Sequence, residues 1–457
     1  MIFTSTFKDM FRITAYSIVP LVVWMTGCGN ADQGDGFLAE TPHLSEDFAT
    51  SEAGGLDSVD GAQRAAPPRT EFWMHPNKSF DERIQSMDSF LFGPRNLNSW
   101  QDSFDLMDAY QVHVQALDEY QDPSFMKTLV ETLVAGQKKI VLTAGGLDAS
   151  VCNAAKEQCI ASGGSGRSSD PACARHFSTV GTDSARKLIE AVEANFYHEG
   201  RMVLHTLSLD GAMKRAMGCS PNQGGHHCNN ACQFPVDQAI EQVTEYFWTL
   251  NNRYPSLKFD YVFNFLNWNM SLDARGERLV QSLRGPGRSL GMDADLRFVI
   301  RDLVDSLRAR GLHLDSIANE GGAFFYANQS WDPNYPEGQH TDWFSRLVAL
   351  RQLTDELGIK SHQAINVTTG MNDCAPYTPQ SDPYNRCVRL RDQNAQRASL
   401  GFVRRFQQEM EEAGFSPNAE IMDTMQWKNI PEQTLSETDD STFMNMFLTQ
   451  MNIVGNP

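Results

Sequence analysis

At 457 residues, 41% hydrophobic and 21% charged, the chain has ordinary globular composition and enough apolar mass for a large core. Its formal net charge of −19 argues against a nucleic-acid partner, which needs a basic face, and leaves neutral or cationic ligands open.

The N-terminus reads as an export signal. Lys8 and Arg12 precede an apolar run over residues 13–25, too short for a comfortable membrane span and closed by Thr26-Gly27-Cys28. Met25-Thr26-Gly27-Cys28 resembles a bacterial lipobox. The resemblance implies a lipoprotein signal peptide over residues 1–27 and lipidation of Cys28. It also implies a place in the bacterial cell envelope, facing the periplasm or the exterior. Residues 28–70 are rich in Gly, Asp, Glu, Ser, Ala and Pro, and read as a flexible acidic tether. Beyond Cys28, eight cysteines remain: Cys152, Cys159, Cys173, Cys219, Cys228, Cys232, Cys374 and Cys387. An even number in an exported chain points to disulfides. Cys374 and Cys387 are expected to pair because no other cysteine lies near them. The other six leave several pairings open, in stretches that read as loops.

From Glu71 to the end, short apolar runs alternate with helical patterns. Strands are expected over residues 71–75, 110–117, 139–143, 202–209, 261–266, 362–367 and 419–425. A further strand, starting at His313, ends abruptly in Asn319-Glu320-Gly321-Gly322. Helices are expected over residues 80–92, 125–135, 184–196, 236–250, 296–309, 344–357, 395–413 and 442–451, with Gly358 as a C-cap. Strands alternating with helices predict parallel pairing through crossover helices. Eight such units favour a (β/α)8 TIM barrel over residues 71–457, with long disulfide-bearing βα loops. No Gly-rich dinucleotide fingerprint follows the first strand, which weakens an open doubly wound sheet further, and no cofactor is expected.

In a barrel, polar residues at the carboxyl ends of strands line one mouth. Those residues are His75 and Asn77; Asp118 and Glu119; Asp148; His205 and Asp210; Asn264, Asn267 and Asn269; Asn319 and Glu320; Asn366; and Asp423 and Gln426. Trp73, Trp268, Trp331 and Trp427 accompany them. Carboxylates, amides and indoles around a cleft suit an oligo- or polysaccharide, whose faces stack on aromatics and whose hydroxyls need polar partners. Glycosidic cleavage needs one protonated and one ionised carboxyl. Glu320 is the acid candidate and Asp210 the first choice of partner, with Glu119 and Asp118 behind it. The bland reading of Asp210-Gly211 is a turn, for which Asp-Gly is a strong dipeptide. The substrate-binding candidates are Trp73, His75, His205, Asn267, Trp268, Asn319, Trp331, Asn366, Gln426 and Trp427. Adjacent His226 and His227 beside Cys228 and Cys232 argue only weakly for metal, since neighbouring histidines rarely aim at one ion; no metal is expected.

Gln426-Trp427 at a strand end is followed by Lys428-Asn429-Ile430-Pro431-Glu432 and then Leu435-Ser436-Glu437-Thr438. This resembles the eighth-strand region of secreted TIM-barrel glycoside hydrolase-like proteins, and Leu209-Asp210 before a Cys-bearing loop looks similar. The resemblance spans about Glu71 to the C-terminus. It implies a monomeric carbohydrate-active hydrolase, held at the membrane only through Cys28. The Asn-Glu pair that many retaining barrel glycosidases carry after strand four stands here after strand six. The alternatives are a non-catalytic carbohydrate-binding lipoprotein on the same scaffold and a metal-dependent hydrolase.

The tether has no apolar surface of its own to hold a membrane. Cys28→Ala is therefore expected to leave the protein unprocessed or in the soluble fraction, as read by membrane fractionation. Unchanged membrane association would refute the anchor.

Overall fold

A computed structural model describes residues 69–75, 96–114, 117, 123–217, 232–264, 268–269, 292–322, 343–366, 381–425, 437–439 and 442–455. Eight parallel strands close into a barrel. They are β1 (Glu71–His75), β2 (Ala109–His113), β3 (Lys139–Ala144), β4 (Leu204–Asp210), β5 (Lys258–Asn264), β6 (Ser316–Gly322), β7 (Lys360–Asn366) and β8 (Ile421–Met425). Each follows its predecessor around the ring, and β8 pairs with β1 from Glu71↔Ile421 to His75↔Met425. The (β/α)8 expectation therefore holds. The principal helices are α1 (Pro123–Ala135), α2 (Ala149–Ala161), α3 (Val180–Asn195), α4 (Val236–Arg253), α5 (Leu296–Ala309), α6 (Trp343–Leu357), α7 (Asp382–Glu412) and α8 (Phe443–Gly455). No described helix is long and apolar enough to cross a membrane. The helix expected over residues 80–92 lies outside the described residues.

Alternation along each strand divides two cores. Phe72, Met74, Tyr110, Val112, Ile140, Leu142, Leu207, Leu209, Phe259, Tyr261 and Phe263 point outward and pack under the helices. Trp73, Ala109, Val141 and Ile421 point inward as a separate cluster. One indole fills the narrow interior because small Ala109 lies beside it in the ladder.

The register sets the heights of the inward side chains. His113 pairs through Thr143, Ser208, Asp260 and Ser316 to Lys360. Extending the same register around the barrel returns to β2 eight residues below the start, the shear of a TIM barrel. Inward residues therefore form layers drawn from alternate strands. Trp73, Val141, Asp260 and His362 share one layer, and Gln111, Ser208, Ala318 and Asp423 the next. His75, Thr143, Val262 and Ala364 follow. His113, Asp210 and Glu320 lie uppermost, at the carboxyl end.

Local signals explain several element ends. Gly358 caps α6 at φ 64°, as expected, and the following Ile359 N–H returns to the Thr354 carbonyl at 2.9 Å. Gly181 lets α3 approach α4 closely: a Cβ there would meet the Gln242 carbonyl oxygen at 2.1 Å. The expectation of a single helix between β3 and β4 needs correcting, because α2 precedes α3. Asp148, expected at the mouth, is its N-cap and accepts from the Ser150 and Val151 N–H groups at 2.7 and 3.2 Å. Cys152 and Cys159 thus stand on a helix and not in a loop.

Cys152 joins Cys232 across 80 residues, and Cys159 joins Cys173 across 14. Cys387 is also disulfide-bonded; its expected partner Cys374 lies outside the described residues, as does Cys28. The Cys152–Cys232 bridge closes the longer loop and ties α2 to the segment entering α4. Replacing both with Ser is expected to cost about 2–5 kcal/mol, the usual scale for a native disulfide. Urea titration measures this, and an unchanged midpoint would contradict a stabilising role.

Candidate functional site

A cavity opens inside the barrel toward the strands' carboxyl ends. Its polar lining is His75, Gln111, Thr143, Asp210, Glu320, His362 and Asp423, with Val262, Ala318 and Ala364 as apolar wall. Asp210 and Glu320 are both buried there, 9% and 5% exposed. They share the uppermost layer on β4 and β6. Gly211 follows Asp210 at φ 62° and donates its N–H to the Val262 carbonyl at 3.0 Å. Asp210 is thus the last residue of β4, the chain bends only at Gly211, and Asp210 lines the cavity.

The floor is built from buried acids and imidazoles. Asp260 is fully buried and held by three groups: the Ser208 and Ser316 hydroxyls donate to it at 2.6 Å each, and His362 Nδ1 lies 3.1 Å away. Burial opposes charge on His362, yet the Asp260 carboxylate outweighs it and raises the imidazole above its ordinary value. Asp423 sits in the next layer. Burial pushes its carboxyl up to about 7; His362 opposes the rise and Asp260 adds to it. Its Oδ2 lies 3.9 Å from His75 Nδ1, an approach that would suit an ion pair. Burial, with help from His113 and His362, instead pushes His75 down to about 3. The contact is between two groups that are both neutral from about pH 3 to about pH 7. The His75 ring stacks on His113 at 6.4 Å between centroids. Gln111 Nε2 donates to the Thr143 hydroxyl.

The structure treats the sequence candidates differently. Glu320, Asp210 and His75 come together in one cavity. Trp73 lies below it, edge-on to His362 at 4.7 Å, where it fills the barrel instead of offering a face to ligand. His205 stands near the amino end of β4, beside Thr206 at 2.8 Å and within the fields of Lys139, Glu71, Lys258 and Asp315. That is the opposite end from the cavity. Asn319 faces outward from β6 and donates to Gln363 Oε1 at 2.8 Å. Trp268 is buried in the outer core against Phe263 at 5.9 Å. Asn366 ends β7, paired with Gly322 and Met425. Glu119, Asp118, Asn267, Trp331, Gln426 and Trp427 lie outside the described residues. Sequence reasoning missed the floor: His362, Asp260, Gln111 and Thr143 carried no role, and Asp423 was only one polar residue among many. The available signal was polar side chains at alternate positions inside otherwise apolar strand runs.

No family model matches the chain, and no curated protein matches it. Solved structures do. A candidate α-L-fucosidase from Bacteroides thetaiotaomicron is 9% identical, with 88% of this chain and 100% of that one covered, at a TM-score of 0.40. A Family 1 β-glucosidase from Thermotoga maritima is 11% identical over 74% and 77% of the two chains, at 0.37. A 7,8-dihydropteroate synthase from Vibrio fischeri is 9% identical over 85% and 94%, at 0.36. At these values the likeness lies in the chain path and carries no chemistry.

The shifted groups make stability depend on pH. Folding raises Asp423 from 3.8 to about 7, so its contribution is complete below 3.8 and is lost as pH rises through that window. His362, also raised, loses its contribution as pH rises through its folded value. His75, lowered from 6.5 to about 3, acts oppositely: its contribution is present above 6.5 and lost as pH falls toward 3. Asp423→Asn is expected to make stability rise more, or fall less, with pH between about pH 4 and 7, measured by denaturant titration at several pH values. An unchanged slope removes Asp423 from the account.

Proposed function

We propose that this chain is a carbohydrate-active hydrolase that cleaves glycosidic bonds with Glu320 and Asp210 at the carboxyl face of the barrel. The observation that carries the reading is that these two carboxyl groups line one cavity in the same layer, two strands apart. With strands about 4.8 Å apart and a rise of about 3.3 Å per residue, their Cα atoms stand roughly 10–12 Å apart. Both side chains point inward, which brings the carboxyl groups toward the separation of about 5–9.5 Å used by glycosidase pairs. Glu320 gives its proton to the leaving glycosidic oxygen. Asp210, ionised, attacks the sugar or takes a proton from the attacking water. Glu119 remains a third candidate acid.

The net charge of −19 suits a neutral glycan. Trp331, Trp427, Gln426, Asn267 and Asn366 are proposed to contact it. We place the protein in the bacterial envelope, held by lipid on Cys28 through the tether of residues 28–70. The disulfides suit an oxidising compartment.

Glu320→Gln keeps shape but removes the titrating proton, and is expected to lower glycan turnover by about a hundredfold or more. Asp210→Asn is expected to lower it too, and the double variant to lose less than the product of the singles, because the two act as a unit. The measurement is hydrolysis across plant, algal and bacterial polysaccharides, first with the wild type and then with the variants on each hit. Full activity in Glu320→Gln removes that residue from the mechanism. Binding without turnover by the wild type favours a carbohydrate-binding lipoprotein instead.

A further inference from the structure

We infer that the floor of the cavity is a hydroxyl-recognition subsite, where Nε2 of His362 and Oε1 of Gln111, with Asp423 and His75 beside them, bind one hydroxyl of a sugar whose ring lies at Asp210 and Glu320. The choice of a sugar rests on the hydrolase reading; the recognition of a hydroxyl does not.

Unpartnered polar atoms mark the place. His75 Nδ1, Gln111 Oε1, His362 Nε2 and Asp423 Oδ1 have no hydrogen-bond partner among the described residues, and all four residues are buried and line the one cavity. Buried polar atoms are nearly always partnered, so four around one enclosure point to a polar group that binds there. Two of these side chains are fixed at their other end, which decides what the free end does. The Asp260 carboxylate lies 3.1 Å from His362 Nδ1 and is itself held by the Ser208 and Ser316 hydroxyls at 2.6 Å each. Nδ1 therefore donates to Asp260, and Nε2 is left on the opposite edge of the ring. Gln111 gives its amide N–H to the Thr143 hydroxyl, which leaves the amide oxygen as the free end. His75 and Asp423 do not satisfy each other, because their approach of 3.9 Å exceeds hydrogen-bond reach.

The chemistry of these ends selects the ligand. Among the described residues no three of His, Cys, Asp and Glu are placed to hold a metal ion, and the described cavity wall carries no lysine or arginine to hold a phosphate or carboxylate. An ammonium group can only donate, and His362 opposes it: burial disfavours charge on the ring, but Asp260 outweighs burial and favours the imidazolium. A hydroxyl both accepts and donates. It takes a hydrogen bond from Nε2–H of His362 and gives its own proton to Gln111 Oε1 or Asp423 Oδ1. The cavity volume of about 10 Å³ admits one water-sized group, so one hydroxyl descends while the ring stays above. Height agrees with this. Gln111 and Asp423 lie two layers below Asp210 and Glu320. At a rise of about 3.3 Å per residue and a tilt of about 36°, that is roughly 5 Å along the barrel axis, the reach of a hydroxyl across one sugar ring. Trp73 fills the interior beside His362, so the hydroxyl enters from the carboxyl end.

Calorimetric titration with D-glucose, D-galactose, D-mannose and D-xylose, and with the monodeoxy analogues of each sugar that binds, tests the subsite without turnover. One deoxy analogue is expected to bind at least about tenfold more weakly than its parent, because the missing hydroxyl leaves Gln111 and His362 unpartnered. Gln111→Leu is expected to weaken the parent sugar and bring that ratio toward one, while Glu320→Gln preserves it. A crystal structure of the complex gives a reading that needs no variant, should Gln111→Leu fail to fold. The discriminating hydroxyl is expected within about 3.2 Å of both Gln111 Oε1 and His362 Nε2. The subsite is overturned by any of these results: no sugar binds, parents and analogues bind alike, the ratio survives Gln111→Leu or is lost in Glu320→Gln, or the floor of the complex holds an ordered water only. Selective binding with no hydrolysis of any polysaccharide sinks the hydrolase reading and leaves the subsite standing. Hydrolysis without the selectivity does the reverse.

Discussion

Closure of β8 onto β1 is the constraint on which the site depends. Five consecutive pairs, from Glu71↔Ile421 to His75↔Met425, join the ends of the sheet. Those pairs decide that His75 and Asp423 belong to one interior. Without closure the shear has no meaning, and the layers that place Asp210 level with Glu320 dissolve. The amino end of the barrel is secured by charge. Glu71 receives Lys139 at 2.8 Å and Lys360 at 3.2 Å. Although burial opposes its ionisation, the two lysines hold its carboxyl down at about 2. Above that ring, Trp73 fills the interior and separates it from the cavity.

The two ends of the barrel treat charge differently. At the amino end half-buried acids meet lysine or arginine. Arg351 donates to both carboxylate oxygens of Glu420 at 2.7 and 2.9 Å, and Lys258 reaches Asp315 at 2.9 Å. Such pairs lock a stable ground state. On the described cavity wall, by contrast, the polar residues are acids, imidazoles and neutral groups, with no lysine or arginine among them. Carboxyl groups enclosed there have proton affinities set by burial, by one another and by His362. Asp423 shows this, its carboxyl pushed up to about 7 by burial. The arrangement therefore gathers ion pairs at one end of the strands and enclosed acids at the other.

Much of the fold was legible in the chain. Apolar runs such as Lys139–Ala144 could only be buried strands, and the eightfold alternation with amphipathic helices implied the barrel. Gly358 announced the end of α6 because only a left-handed residue fits after its last turn. The helix α2 was missed because its apolar face is weak. Its clearest signal was Asp148 two residues before Ser150, which looked like another polar strand end. Trp268 and Trp73 were read as stacking surfaces because aromatic residues near strand ends serve either role. Only packing distinguishes an indole that fills a core from one that faces a ligand.

By itself the sequence determined the periodicity, and with it the strands, the helices and the carboxyl ends where acids such as Asp210 and Glu320 would gather. Period-two alternation is a local property, carried by each strand alone. Tertiary structure decided which of those residues share a height. Height depends on the register between strands and on the shear of the closed ring, and neither is written in any one segment. It also decided each acid's surroundings. Asp260 and Asp423 are the same residue type on similar strands, yet one meets two hydroxyls and an imidazole while the other has, among the described residues, an oxygen with no partner. Such a difference arises only when side chains from β1, β4, β5, β6, β7 and β8 converge in one enclosed space, because proton affinity is set by burial and neighbouring charge.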